Sequence, residues 1–389
     1  MSPRSLLLAL LALSGCALFG SVAPVATIDP NPAAVAERPG GLGSLDSVRY
    51  VVHVSVDGLR PDAVRRQPAE ALPAFARLRT EAAQTQNART DPDYRTTLPN
   101  HTAQLTGRPV LGARGHGWTV NVDPAPGATL HANRGAYVAS AFDVAHDAGL
   151  ATAAYVSKSK FSIFDASYDA RHGAPDTTGA DDGRDKIDRF VYEPDTEALV
   201  DRVVADLVES PAAYTFVHLR DPDATGHWWG WSVRRGSRYL RAVRRADGRL
   251  GRILDAIEAD DRLRGRTAVV VTADHGGSGR HHLGERREHY TVPFYVWGPG
   301  VAPADLYVLN EDTRADPGAG NPGLGAALPP VRNGDAANVA LGLLGLSPVP
   351  GSAWGVDAPL RVHGRGPVPE LPPVSPPTET AAEPPRQRG

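Results

Sequence analysis

Arg49-Tyr50-Val51-Val52-His53-Val54-Ser55-Val56-Asp57-Gly58 opens the body of the chain with a β-rich run that stops at a carboxylate and a glycine. Apolar residues on successive positions, rather than on alternate ones, predict a strand covered on both faces. Asp57 then falls at the strand's C-terminal end, where ligands gather in open α/β sheets. Two later stretches have the same design. Tyr214–Leu219 leads into Pro222-Asp223-Ala224-Thr225-Gly226-His227, and Thr267–Thr272 leads into Asp274-His275-Gly276-Gly277. Further strands are predicted over 151–156 and 292–296. Helices are predicted over 61–78, 96–107, 139–148, 197–209, 238–259 and 335–346, the last with Asp335 as N-cap. This alternation predicts an α/β fold, a mainly parallel sheet flanked by helices on both faces.

Arg95-Thr96-Thr97-Leu98-Pro99-Asn100-His101 reads as a loop turning into a helix, with Pro99 in the first turn, where its missing N–H costs nothing. A helix start favours an anion, above all a phosphate. The Thr97 hydroxyl is a poor nucleophile unless a base or a metal removes its proton. No histidine within two residues suits that role. Asp57, Asp223, His227, Asp274, His275 and the His281-His282 pair offer a mixed carboxylate–imidazole set, which suits zinc best and also manganese or iron; several histidines disfavour calcium.

In order and wording these motifs resemble the alkaline phosphatase superfamily, and within it the type I phosphodiesterase/nucleotide pyrophosphatase branch, from about Val48 to Val362. The resemblance implies two divalent ions, one held by Asp57, Asp274, His275 and the Thr97 oxygen, the other by Asp223, His227 and His281 or His282, with His281 preferred on spacing. It implies in-line attack by Thr97 on phosphorus, a phospho-threonine hydrolysed by water, and Asn100 hydrogen-bonded to a phosphoryl oxygen. A small-molecule phosphate ester is the implied substrate, with a phosphodiester or nucleotide pyrophosphate foremost. A phosphomonoesterase is the alternative within the superfamily, and a surface lipoprotein that binds metal or phosphate without chemistry is the alternative outside it. A sulfatase is disfavoured, because that relative uses a modified Cys or Ser where this chain has Thr97.

Lys158 and Lys160 follow a strand and read either as substrate-phosphate ligands or as a solvated pair. Trp228, Trp229 and Trp231 read either as an apolar substrate wall or as core. His53, His218 and His289 read as packing or surface residues, His116 as a loop residue, and Asp62 as a helix-start acid. The polar stretch 165–188 reads as a loop on the rim of the site.

The chain of 389 residues carries a net charge of −3 with no evident basic patch, so no nucleic-acid partner is expected. Arg4 and the apolar run Leu6–Leu13 ahead of Leu13-Ser14-Gly15-Cys16 resemble a bacterial lipoprotein signal. Cys16 is the single cysteine, which fits lipidation and precludes an internal disulfide. The expected organisation is a signal peptide over 1–15, a lipidated tether over 16–47, a catalytic domain over 48–362 and a disordered Pro-rich tail over 363–389. An exported protein anchored to a bacterial membrane through its N-terminal lipid follows.

Overall fold

The computed structural model describes residues 47–176 and 183–364. The proposed signal peptide, Cys16, the tether up to residue 46 and the tail from residue 365 lie outside the described residues.

Seven strands form one sheet: β1 (Tyr50–Val56), β2 (Ala83–Arg89), β3 (Thr152–Val156), β4 (Arg189–Tyr192), β5 (Tyr214–Leu219), β6 (Thr267–Thr272) and β7 (Thr291–Trp297). Their order is β2-β7-β6-β1-β5-β3-β4. β7 runs antiparallel to both its neighbours, β6 and β2, and the other pairings are parallel. The fold is therefore the mainly parallel α/β sheet that the strand–helix alternation predicts.

The register sets up the site. β1 lies between β5 and β6, with Val56 opposite Leu219 and Ser55 opposite Thr272. The three strands that end in aspartate motifs are thus immediate neighbours and end at one level. β1, β5 and β6 are buried along nearly their whole length, as their consecutive apolar residues require.

Helices Pro73–Glu81, Thr196–Glu209 and Arg238–Ala259 pack together on the sheet. Helices Thr97–Thr106, Ala141–Asp147 and Ala336–Leu343 form a second packed group. The 22-residue helix Arg238–Ala259 buries Val243, Leu250, Ile253, Leu254 and Ile257 on a single stripe and leaves Arg238, Arg241, Arg244 and Arg245 exposed, while Arg249 is buried.

Several elements differ from the sequence expectation. The helix predicted over 61–78 is three pieces, Pro61–Arg65, the 3₁₀ turn Ala69–Ala71 and Pro73–Glu81, because Pro68 and Pro73 each restart the backbone. β2 and β4 were not anticipated, as their sequences AQTQNAR and RFVY lack the long apolar run of the central strands. Both are edge strands, where polar residues are tolerated. Asp335 holds the N-cap position of the last helix, as expected, but its side chain makes no capping bond to that helix. The residue ends a 3₁₀ turn, and its Oδ2 accepts the Arg332 N–H at 2.8 Å. Of the stretch read as a rim loop, Ser162–Tyr168 is helical and residues 177–182 lie outside the described set. Among the described residues no helix is long and apolar enough to cross a membrane.

Ile253 of the long helix is fully buried in the apolar core. Ile253→Ala is expected to lower unfolding stability by about 2–5 kcal/mol through the cavity it leaves, read from the shift in urea midpoint at unchanged slope.

Candidate active site

Asp57, Asp223 and Asp274 converge at the C-terminal ends of β1, β5 and β6, all three nearly or wholly buried. Each carboxylate has one oxygen held and one bare. Asp274 Oδ1 accepts the backbone N–H groups of Gly58 (3.0 Å) and His275 (2.9 Å). Asp57 Oδ2 accepts from Lys158 Nζ (2.6 Å) and from His218 Nε2 (2.9 Å). Asp223 Oδ2 accepts from Lys158 Nζ at 2.6 Å. The opposite oxygens, Asp57 Oδ1, Asp223 Oδ1 and Asp274 Oδ2, are buried without any hydrogen-bond partner. They lie 3.6, 3.9 and 3.2 Å from one atom, His275 Nε2.

The histidines present the complementary face. His275 Nδ1 donates to the Gly276 carbonyl at 2.8 Å, His227 Nδ1 to the Arg280 carbonyl at 3.2 Å, and His282 Nδ1 to the Arg95 carbonyl. A carbonyl can only accept, so each ring is fixed in the tautomer that leaves Nε2 with its lone pair free. His227 Nε2 lies 3.3 Å from Asp223 Oδ1, and the His282 ring stacks on His275 at 3.7 Å. Thr97 Oγ1 is 3.4 Å from His275 Nε2. Bare carboxylate oxygens and bare imidazole nitrogens therefore crowd one buried space. Apart from the Thr97 hydroxyl, acceptors there face acceptors, an arrangement that suits a divalent cation. Two overlapping groups have metal-ligand spacing, Asp57–Asp274–His275 and Asp223–His275–His282.

The electrostatics are consistent with a missing positive charge. Burial opposes ionisation of Asp57, yet the Lys158 ammonium and the His218 hydrogen bond hold its carboxyl well below the usual range. Burial and the charge of Asp57 oppose ionisation of Asp223, but the Lys158 ammonium pulls it down. Asp274 is pushed well above the usual range, by burial first and then by its two carboxylate neighbours. One ammonium does not satisfy three buried carboxylates.

Of the His281-His282 pair, the second faces the cluster, which corrects the preference for His281. His282 is 5 % exposed, whereas His281 points outward, its Nδ1 on the Leu283 carbonyl and its ring against His289. Asn100 is also reassigned. Its Oδ1 accepts from Asp91 N and Asn333 Nδ2, and its Nδ2 donates to the Tyr94 and Thr96 carbonyls, so the whole amide is spent on bracing the loop before the threonine helix. The asparagine beside that helix start is Asn121. Its Oδ1 accepts the Leu98 N–H at 2.9 Å, and its Oδ1 and main-chain oxygen accept from Lys160 Nζ. Lys158 is inside the carboxylate cluster and Lys160 is at the threonine, so neither is a solvated loop lysine. The sequence reading missed Asn121 because nothing local marks its loop.

His218 is likewise no mere packing residue. Its Nδ1 accepts the Ser157 N–H, which leaves Nε2–H to steer Asp57. His53 does pack, edge-on against Phe216. His101 ties the threonine helix to β1, with Nδ1 on the Thr97 carbonyl (2.7 Å) and Nε2 on Ser55 Oγ (2.8 Å).

The three indoles separate. Trp231 is core, while Trp228 and Trp229 are 73 % and 56 % exposed. Trp231 Nε1 donates to the Gly58 carbonyl at 3.0 Å, and its ring lies against Gly226 and Gly277, where a β-carbon would come within 2.3 and 2.4 Å of it. The indole thus bolts together the loops that carry all three aspartates. Arg60 adds to the bolt by donating to the Trp231 and Gly277 carbonyls. Gly58, at φ +71°, lies so close to Asp223 that a side chain would strike that residue's backbone.

The match to the type I phosphodiesterase / nucleotide pyrophosphatase family model spans residues 51–285, more than half of the chain, and the protein belongs to that family. Membership of that family supports a phosphoester hydrolase. Over 122 residues, 30% of this chain, it is 34% identical to GPI ethanolamine phosphate transferase 1 of Chaetomium globosum, and the match spans 12% of that relative's length. Among solved structures it is similar to a protein in the alkaline phosphatase superfamily from Vibrio parahaemolyticus (TM-score 0.52, 14% identity, 79% of this chain and 69% of that one). It is also similar to the lipoteichoic acid synthase LtaP of Listeria monocytogenes (TM-score 0.52, 12% identity, 82% and 75%). Both structural likenesses bear on the fold alone.

A methyl group added at Gly277 would meet the Trp231 ring at 2.4 Å. Gly277→Ala is expected to cost about 1–3 kcal/mol of stability by overpacking, measured by thermal melting.

Proposed function

We propose that the protein is a two-metal hydrolase of phosphoric esters with Thr97 as nucleophile, acting on phosphodiesters or nucleotide pyrophosphates. The observation that carries this reading is the set of three partnerless carboxylate oxygens around His275 Nε2, with Thr97 Oγ1 at 3.4 Å from the same nitrogen. Asp57, Asp274, His275 and Thr97 would hold one ion, and Asp223, His227 and His282 the other. Zinc suits this donor set best, with manganese or iron also compatible. Bound there, divalent cations supply the charge that eases loss of the Thr97 proton and offsets charge on the phosphoryl and leaving oxygens.

The chain's own groups do the rest. The threonine helix presents Oγ1 at its first turn, fixed by His101 and by the Asn100 brace. Oγ1 attacks phosphorus in line, the bond from phosphorus to the ester oxygen breaks, and the departing oxygen takes up a proton. Water then cleaves the phospho-threonine, returning the Thr97 hydroxyl and releasing the phosphate product. Asn121 and Lys160, at the start of that helix, are placed to hold phosphoryl oxygens. His218 keeps Asp57 in orientation. The transferase activity in the name of the fungal relatives differs only in which oxygen accepts phosphorus; with so little of their length matched, water is the acceptor proposed here. Export, and anchoring through acyl-Cys16, belong to the same proposal and rest on the sequence.

A phosphomonoesterase is the second reading. It is favoured by the Lys158 ammonium on Asp57 and Asp223 and by Lys160 on Asn121, beside the threonine helix, since cations there suit an extra negative charge on a monoester. Turnover of matched aryl mono- and diesters by the zinc-loaded chain separates the two.

Thr97→Ala is expected to lower turnover of an aryl phosphodiester by about 10³-fold or more, with the melting temperature and bound zinc largely retained. Turnover within a few-fold of the parent would rule out the nucleophile. Bound zinc without hydrolysis of any phosphate ester by the parent would favour a binding lipoprotein.

A further inference from the structure

From Ala224 to Ala246 the chain has no acidic residue, yet this stretch carries Arg234, Arg235, Arg238, Arg241, Arg244 and Arg245 in a protein of net charge −3. The sequence reading saw no basic patch because the long helix that begins at Arg238 also contains Asp247, Asp255 and Glu258. The fold separates them. Asp247 is buried, accepting the backbone N–H groups of Ala74 and Phe75, and the arginines stay on the exposed side.

Arg234, Arg235, Arg238 and Arg241 are exposed and make no ion pair among the described residues. Arg244 bonds to a neutral partner, Gln67. Of the group only Arg245 faces a carboxylate, Asp221 at 3.7 Å, and Asp221 is already taken by Arg249 at 2.9 Å. Charges held at the surface without counterions favour an anionic partner.

The same surface exposes two indoles. Trp228 and Trp229 end the helix Asp221–Trp229, directly after the candidate ligand His227. The Arg238 guanidinium lies 3.3 Å over the Trp229 ring. Arg241 reaches the Gly236 carbonyl, so the turn carrying Arg234 and Arg235 is held beside this pair. The indoles also line a cleft of about 300 Å³ whose charges are mixed, with Arg220 and Arg245 beside Asp195 and Asp221. Across His227, the loop whose Arg280 carbonyl holds that ring exposes Leu283. Exposed indoles ringed by guanidinium groups have the chemistry of a membrane interface, where the ring sits at headgroup level and the cations meet phosphates.

We propose that the surface formed by Trp228, Trp229, Arg234, Arg235, Arg238 and Arg241 seats the protein on an anionic lipid surface. The mouth beside His227 then faces the headgroup layer. Docking of this kind does not depend on which ester the site cleaves. It adds a second, electrostatic attachment to any N-terminal anchor and sets which way the catalytic end points.

The test uses the full chain carrying Cys16→Ser, so that acylation cannot contribute. Sedimentation with vesicles of phosphatidylcholine alone is compared with sedimentation on vesicles containing phosphatidylglycerol, at low and high salt. The chain is expected to bind the anionic vesicles preferentially, to be released by salt, and to show a blue shift in tryptophan emission. The fourfold variant R234Q/R235Q/R238Q/R241Q is expected to lose binding by about tenfold or more, and W228S/W229S to lose the blue shift, both with unchanged melting temperatures. Equal binding to neutral and anionic vesicles would overturn the proposal, as would undiminished binding by the folded fourfold variant. Tighter binding to a single-stranded oligonucleotide than to the anionic vesicles would also overturn it, and would assign the surface to nucleic acid.

Discussion

Carboxylate oxygens with nothing to donate to them, packed against imidazole nitrogens in the same condition, are the constraint on which the rest of the structure depends. Like charges do not stay buried at such distances unless the surrounding framework forces them together and a cation rewards it. The framework here is the β6-β1-β5 core of the sheet, whose parallel register brings three aspartates to one level. An indole, a guanidinium and glycines too close to them for any side chain then lock the loops. Held by one oxygen each, the carboxylates keep the other free, the arrangement that the proposed metal site needs.

The neighbouring groups serve the same end. Backbone carbonyls choose the tautomer of His227, His275 and His282. His218 and Lys158 hold Asp57 from the side away from its bare oxygen. His101, Asn100 and Asn333 fix the threonine helix so that its first hydroxyl reaches the cluster without a flexible lever. Rigidity around a charged centre lowers the reorganisation needed as charge develops on a reacting phosphate.

Much of this was legible in the sequence. Buried parallel strands announce themselves by consecutive β-branched residues, so the positions of Asp57, Asp223 and Asp274 at strand ends could be read from Val51–Val56, Tyr214–Leu219 and Thr267–Thr272. What could not be read was orientation. Two adjacent histidines point opposite ways, and only the turn around Ser278 and His281, which exchange backbone hydrogen bonds, decides that His282 faces inward. Asn100 carries the motif's spacing but is consumed by its own loop, while Asn121 arrives from a loop with no local signal. His218 looked like strand filling because its partner is far away in sequence. The edge strands β2 and β4 lacked the apolar signature because edges do not need it.

Calorimetric titration of the metal-free full chain with zinc, checked by metal analysis, tests the central claim most directly. Two equivalents are expected for the parent and for His281→Ala, and fewer than two for His282→Ala. No uptake by the folded parent, or loss of an equivalent on replacing His281 but not His282, would contradict it.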